Sequence, residues 1–171
     1  MKSLFKIYLI VIVIFMTMST GNAQKMKEDI LQGLGKSPDF VGLAVCSSGY
    51  FFMDNIKYFH IIDPIVTPTK GGSDKIILVA GTYGGDEREN LDNVSIGDTL
   101  LMQAYYRESP LKFKVGYITI IEDQPIFYLP PNTWGSLRYK QGMCYYHYEG
   151  QRNIRYTEIK KLIIEKINKT E

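Results

Sequence analysis

Two histidines and two cysteines carry most of the reactive side-chain chemistry in this chain. His60 and Asp63 have the residue types of a general base and its orienting carboxylate, and Ser47 or Ser48 would complete a hydrolase triad. The segment reads as a strand, in which residues three apart point to opposite faces, so His60 and Asp63 meet only across a bulge. No Gly-x-Ser-x-Gly elbow is present. His60 therefore reads as a structural histidine at a strand end. Cys144 and His147 share the same spacing and the same obstacle. Cys46, Cys144, His60 and His147 are ligand types that zinc accepts, but they lack the close C-x₂-C pairing of strong zinc motifs. The glycine-rich stretches Lys70–Ser73 and Gly84-Gly85 fit neither phosphate-cradling pattern and read as turns. Asp86, Glu87, Glu89 and Asp92 lack the central Gly and terminal Glu of a calcium loop and read as an exposed loop. No residue is singled out as catalytic, and neither a metal nor a cofactor is expected.

The aromatic residues are the more distinctive feature, at 13% of the chain. Trp134, Tyr139, Tyr145, Tyr146 and Tyr148 gather near the C-terminal end. Rings with a polar tip combine apolar area with hydrogen bonding, which suits protein or sugar surfaces. The segment Asn132–Gly142 reads as a loop too long and irregular to be only a connector. These five residues are the expected binding surface.

The elements that must position them are mainly strands. Gln24–Leu34 reads as a helix, with Met26, Ile30 and Leu34 sharing one face. Phe40–Cys46, Tyr50–Ile62, Lys75–Tyr83, Thr99–Tyr106, Phe113–Ile121, Ile126–Leu129 and Cys144–Tyr148 read as strands. Ile76–Ala80 is apolar enough to be buried on both faces. Gly97-Asp98 is a tight turn leading into a strand, and Pro64 and Pro68 flank a loop. Thr157–Ile167 reads as a helix with Thr157 at its N-cap. Ile159, Leu162, Ile163 and Ile167 form its apolar stripe. The expected fold is mainly β: a small antiparallel barrel (OB-like) or a sandwich of six or seven strands, with an N-terminal and a C-terminal helix.

Residues 1–23 read as a secretory signal peptide. A basic start is followed by the unbroken apolar run Ile7–Met16 and then by small polar residues, with cleavage expected after Ala23. The run is shorter than the roughly 20 residues that span a bilayer. Residues 24–171 are then expected to form a single mainly-β domain with no membrane span. Removing Lys2 and Lys6 from the 20 basic residues leaves 18, against 18 acidic ones. A neutral body has no bulk attraction for phosphate backbones, so nucleic acid is not an expected partner. Export also bears on Cys46 and Cys144. In an oxidising compartment an even pair suggests one disulfide, the alternatives being two buried free thiols or a metal pair.

From Asp39 to Tyr106 the order of features resembles the OB-fold module of the netrin/tissue-inhibitor-of-metalloproteinase group. Phe40-Val41-Gly42-Leu43-Ala44-Val45 resembles that module's opening strand. Tyr58–Ile62 and Ile76–Val79 fill the places of its second and third strands, and Ile96-Gly97-Asp98-Thr99-Leu100-Leu101-Met102 matches its turn into a fourth. The resemblance implies a barrel. It does not imply protease inhibition, because the inhibitors act through a free N-terminal cysteine, whereas here Cys46 is internal and Gln24 is the expected N-terminus.

These features together predict a secreted or periplasmic binding module whose partner is a protein or a cell-envelope glycan. The alternatives are a small exported hydrolase using His60 or His147, and a structural envelope component. The oligomeric state is not legible in the sequence.

Overall fold

The computed structural model describes residues 24–50, 53–70, 75–81, 91–107, 111–115, 118–122, 126–130, 134–145 and 153–169. The expected leader lies outside them. Helix α1 occupies residues 24–33. The strands are β1 (Phe40–Tyr50), β2 (Met53–Val66), β3 (Ile76–Ala80), β4 (Thr99–Arg107), β5 (Leu111–Val115), β6 (Ile118–Glu122), β7 (Ile126–Tyr128), β8 (Ser136–Lys140), β9 (Met143–Tyr145) and β10 (Asn153–Arg155), followed by helix α2 (Tyr156–Asn168).

Five strands close a barrel in the order β1-β2-β3-β7-β4, with β4 returning to β1. All of its pairings are antiparallel except β3 with β7, which is parallel. Of the two architectures expected, the barrel is the one formed. Closure removes the open edges that a sheet of this size would otherwise expose. From β4 the sheet continues outward through β8, β9 and β10, while β5 and β6 pair separately as a hairpin.

The barrel wall is apolar on both faces, and the period of two decides which residues go where. On β1, Phe40, Ala44 and Cys46 enter the barrel interior, and on β4 Leu100, Met102 and Ala104 do the same. Their neighbours Val41, Leu43 and Leu101 face outward. There they meet Met26 and Ile30 of α1, Ile159 and Ile163 of α2, and Leu137, Cys144 and Ile154 of the β8–β10 extension. Each such aliphatic side chain contributes roughly 1.5–3 kcal/mol by leaving water. In β3, Ile77 and Val79 point inward, whereas Leu78 and Ala80 join Ile56 and Ile126 in a third cluster. The expectation that this strand is buried on both faces holds for these four residues.

Two devices shape the wall. Gly42 sits at a register shift of β1 against β2, where a Cβ would lie 2.6 Å from the Asp63 carbonyl oxygen and 2.8 Å from the Pro64 Cα. Backbone approaches too closely there for any side chain. Gln103, fully buried on the outward face of β4, fastens the end of α1 to the wall. Its Nε2 donates to the carbonyls of Gly33 and Trp134, both at 2.8 Å, and its Oε1 accepts from the Gly35 N–H at 3.1 Å. A buried amide is stable only when satisfied in this way.

Several boundaries differ from expectation. The segment read as one strand, Phe113–Ile121, is a hairpin of β5 and β6. Within the expected loop Asn132–Gly142, Ser136–Lys140 forms β8 because it finds a partner in β4. Pro64 lies inside β2, paired with Gly42. This is tolerated because β3 pairs with β2 only as far as His60, so no ladder hydrogen bond is needed there on the β3 side. Arg155, not Thr157, is the N-cap of α2 and makes no side-chain capping bond.

Candidate functional site

Of the five aromatic residues expected to form one surface, the three described ones, Trp134, Tyr139 and Tyr145, do not come together. Trp134 is 1% exposed, packed between the barrel wall and the helices, and its Nε1 donates to the Ile30 carbonyl at 2.7 Å. It is a core residue, which corrects its assignment to the binding surface. The registers Tyr139↔Cys144 and Arg138↔Tyr145 send Tyr139 and Tyr145 to opposite faces. Tyr139 turns to the helix-covered side, where its ring meets that of Tyr156 edge-on at 5.6 Å. Tyr145 is half-buried on the other side. Tyr146 and Tyr148 lie outside the described residues, and no aromatic cluster forms among the described ones.

The two cysteines are free and buried. The expected disulfide is therefore absent, and the ladder shows why. Cys144 pairs with Tyr139, Tyr139 with Thr99, and Thr99 with Val45, the neighbour of Cys46. Three strand spacings separate the cysteines, about 14 Å, where a disulfide needs Cα atoms within about 7 Å. Cys46 also faces the barrel interior, whereas Cys144 faces the helices. Burial raises both thiols above their usual range, Cys144 to about 12, so neither is a thiolate near neutral pH.

The hydrolase pair does not assemble either. A bulge between Leu43 and Ala44 does turn Asp63 outward, but its carboxylate is taken up by α2. Lys160 Nζ donates to both of its oxygens, at 2.6 and 2.8 Å, and the Tyr156 hydroxyl donates at 2.8 Å. Burial works against the charged carboxylate, yet these bonds outweigh it and hold Asp63 below its ordinary range. The same burial, with Asp63 as acceptor, pushes Tyr156 far up. This trio pins α2 to β2. His60 stands exposed on β2, and His147 lies outside the described residues.

What the sheet does build is a groove of about 440 Å³ where β4, β8 and β9 meet. One wall is the turn Gly97–Thr99, and the other is Arg138–Lys140 with Tyr145. The turn is tied down at several points. Gly97, at φ +90°, donates its N–H to the Cys46 carbonyl at 2.8 Å, and the Cys46 N–H donates to the Asp98 carbonyl at 2.8 Å. The Asp98 carboxylate accepts from the Ser95 N–H at 2.7 Å and pairs with the Arg138 guanidinium. Arg138 also donates to the Asn93 carbonyl at 2.6 Å. The groove thus has a fixed guanidinium, a half-buried phenol and, in Lys140, an exposed ammonium. Such an arrangement can hold a polar ligand by hydrogen bonds and a ring face.

Of the predicted residues, Tyr145 and Tyr139 border this groove. Asp98, Arg138 and Lys140 were missed. The signal for the latter two was the alternation Leu137-Arg138-Tyr139-Lys140, hidden by reading the segment as a loop. A second groove, of about 400 Å³, runs between α1 and α2 over Leu31 and Leu162. Its lips carry charges of both signs, with Lys27 and Glu158 paired at 3.0 Å. Among the described residues, no helix is long and apolar enough to cross a membrane. The chain matches no protein-family model, no curated protein and no solved structure.

Proposed function

We propose that the protein is an exported binding module that seats its partner, a protein or a cell-envelope glycan, in the groove between the Gly97–Thr99 turn and strands β8 and β9. The observation that carries this reading is the composition of the groove: the Tyr145 ring beside Arg138, whose position is already fixed by Asp98 and Asn93. A side chain held before the ligand arrives loses little entropy on binding. The seam between the helices offers a weaker case, because its two cations, Lys27 and Lys161, are already paired with Glu158 and Glu165.

The test is binding of the purified protein to envelope extracts. Tyr145→Ala and Lys140→Ala should each weaken binding several-fold or more, since truncating a central ring costs about 1–3 kcal/mol. Lys27→Ala, in the helix seam, should bind as the wild type does. A folded Tyr145→Ala protein that retains full binding would remove the groove from consideration.

A further inference from the structure

We infer that the groove reads an acidic glycan, a saccharide polymer bearing repeated carboxylates, with a sugar ring against Tyr145 and carboxylates drawn to Lys140 and Arg155. The inference rests on the groove reading above and narrows it to one ligand class. It follows from the register of the sheet extension. Strands β8, β9 and β10 align Arg138 with Tyr145 and Asn153, and Lys140 with Met143 and Arg155. Partners in register share a face, and residues two apart along a strand share it too. All six therefore lie on one side of the extension. The alternate row, Tyr139, Cys144 and Ile154, is packed under the helices.

Among the described residues, this face carries three cations, and the groove it borders contains a single acid, Asp98, which is already paired with Arg138. Lys140 and Arg155 are both exposed, and among the described residues neither has an ion-pair partner. They sit on strands two apart, about 10 Å between backbones. Two separated cations suit successive charges on a polymer better than one small anion. Between them lies the half-buried Met143, and Tyr145 stands two residues along the same strand, so both offer apolar area to the faces of sugar rings. The charge is local, since the residues after Ala23 balance 18 basic against 18 acidic. A nucleic acid, which depends on many phosphate contacts, is therefore favoured less than a glycan with sparser charge.

The experiment is calorimetric titration of the wild-type protein with oligogalacturonate, its methyl ester, and a single-stranded oligonucleotide of similar length. Oligogalacturonate should bind, and esterification should weaken it roughly tenfold, as should the double variant Lys140→Ala/Arg155→Ala. In that variant the acid and the ester should bind alike. Both substituted positions are exposed, and circular dichroism would check that the fold is kept. Equal binding of acid and ester by the wild type would overturn the acidic-glycan inference, as would tighter binding of the oligonucleotide. If neither saccharide binds but Tyr145→Ala still weakens capture of envelope material, the inference fails and the groove reading stands. If Tyr145→Ala changes no binding at all, the groove reading fails.

Discussion

Replacing Trp134 separates a core role from a binding role. The indole is 1% exposed and lies in the cluster joining both helices to the barrel wall. Truncating a buried tryptophan to alanine costs about 3–5 kcal/mol through lost transfer energy and the cavity left behind. The lost hydrogen bond adds little, because the Ile30 carbonyl still accepts from the Leu34 N–H at 3.0 Å. Trp134→Ala should therefore lower stability by about 3–5 kcal/mol, or Tm by roughly 6–20 °C for a chain of this length. Trp134→Phe, which keeps most of the ring, should lose about 1–2 kcal/mol. The assay is urea unfolding followed by far-ultraviolet circular dichroism, since Trp134 is the only tryptophan and its removal abolishes that fluorescence signal. The folded fraction of Trp134→Ala should still bind envelope material as the wild type does. A loss below about 1 kcal/mol together with abolished binding would refute the reasoning and return Trp134 to the surface.

Three further outcomes are expected. Gly42→Ala should destabilise by about 1–3 kcal/mol or more in a thermal melt, because the new Cβ meets the backbone of Asp63 and Pro64 and not a movable side chain. Asp63 titrates below its ordinary 3.8 in the folded chain, so its contribution is complete above that value and is lost as pH falls through the lower, folded-state value. Urea melts from neutral pH down to acid should show this decline, and Asp63→Asn should flatten it. A thiol reagent should find little reactivity in the native protein and two thiols after denaturation, and reductant should leave Tm unchanged.

Much of the barrel was legible because its signals are local. The spacing of Met26, Ile30 and Leu34 marked a helix face, and all three are buried. The apolar core of β3 and the Gly97-Asp98 turn into β4 were likewise readable from neighbouring residues alone. The site was less legible. Residues Ser136–Lys140 look like loop until β4 pairs with them, and the three-residue strand β10 carries too little pattern to be seen. Tyr145 was named for its ring, but its companions Arg138 and Lys140 depend on a strand that the local reading did not contain.

Composition and short-range pattern were enough to determine a β-rich chain with amphipathic helices near its ends, because periodicity is a property of neighbouring residues. Pairing across the chain decided the rest. It placed Cys46 and Cys144 on different faces three strands apart, sank Trp134 into the core and divided Tyr139 from Tyr145. The pleat dictates only that alternate residues part company. Which set meets water and which meets a helix depends on what packs against each face, and here that was settled by contacts between residues more than a hundred positions apart, such as Trp134 with Ile30.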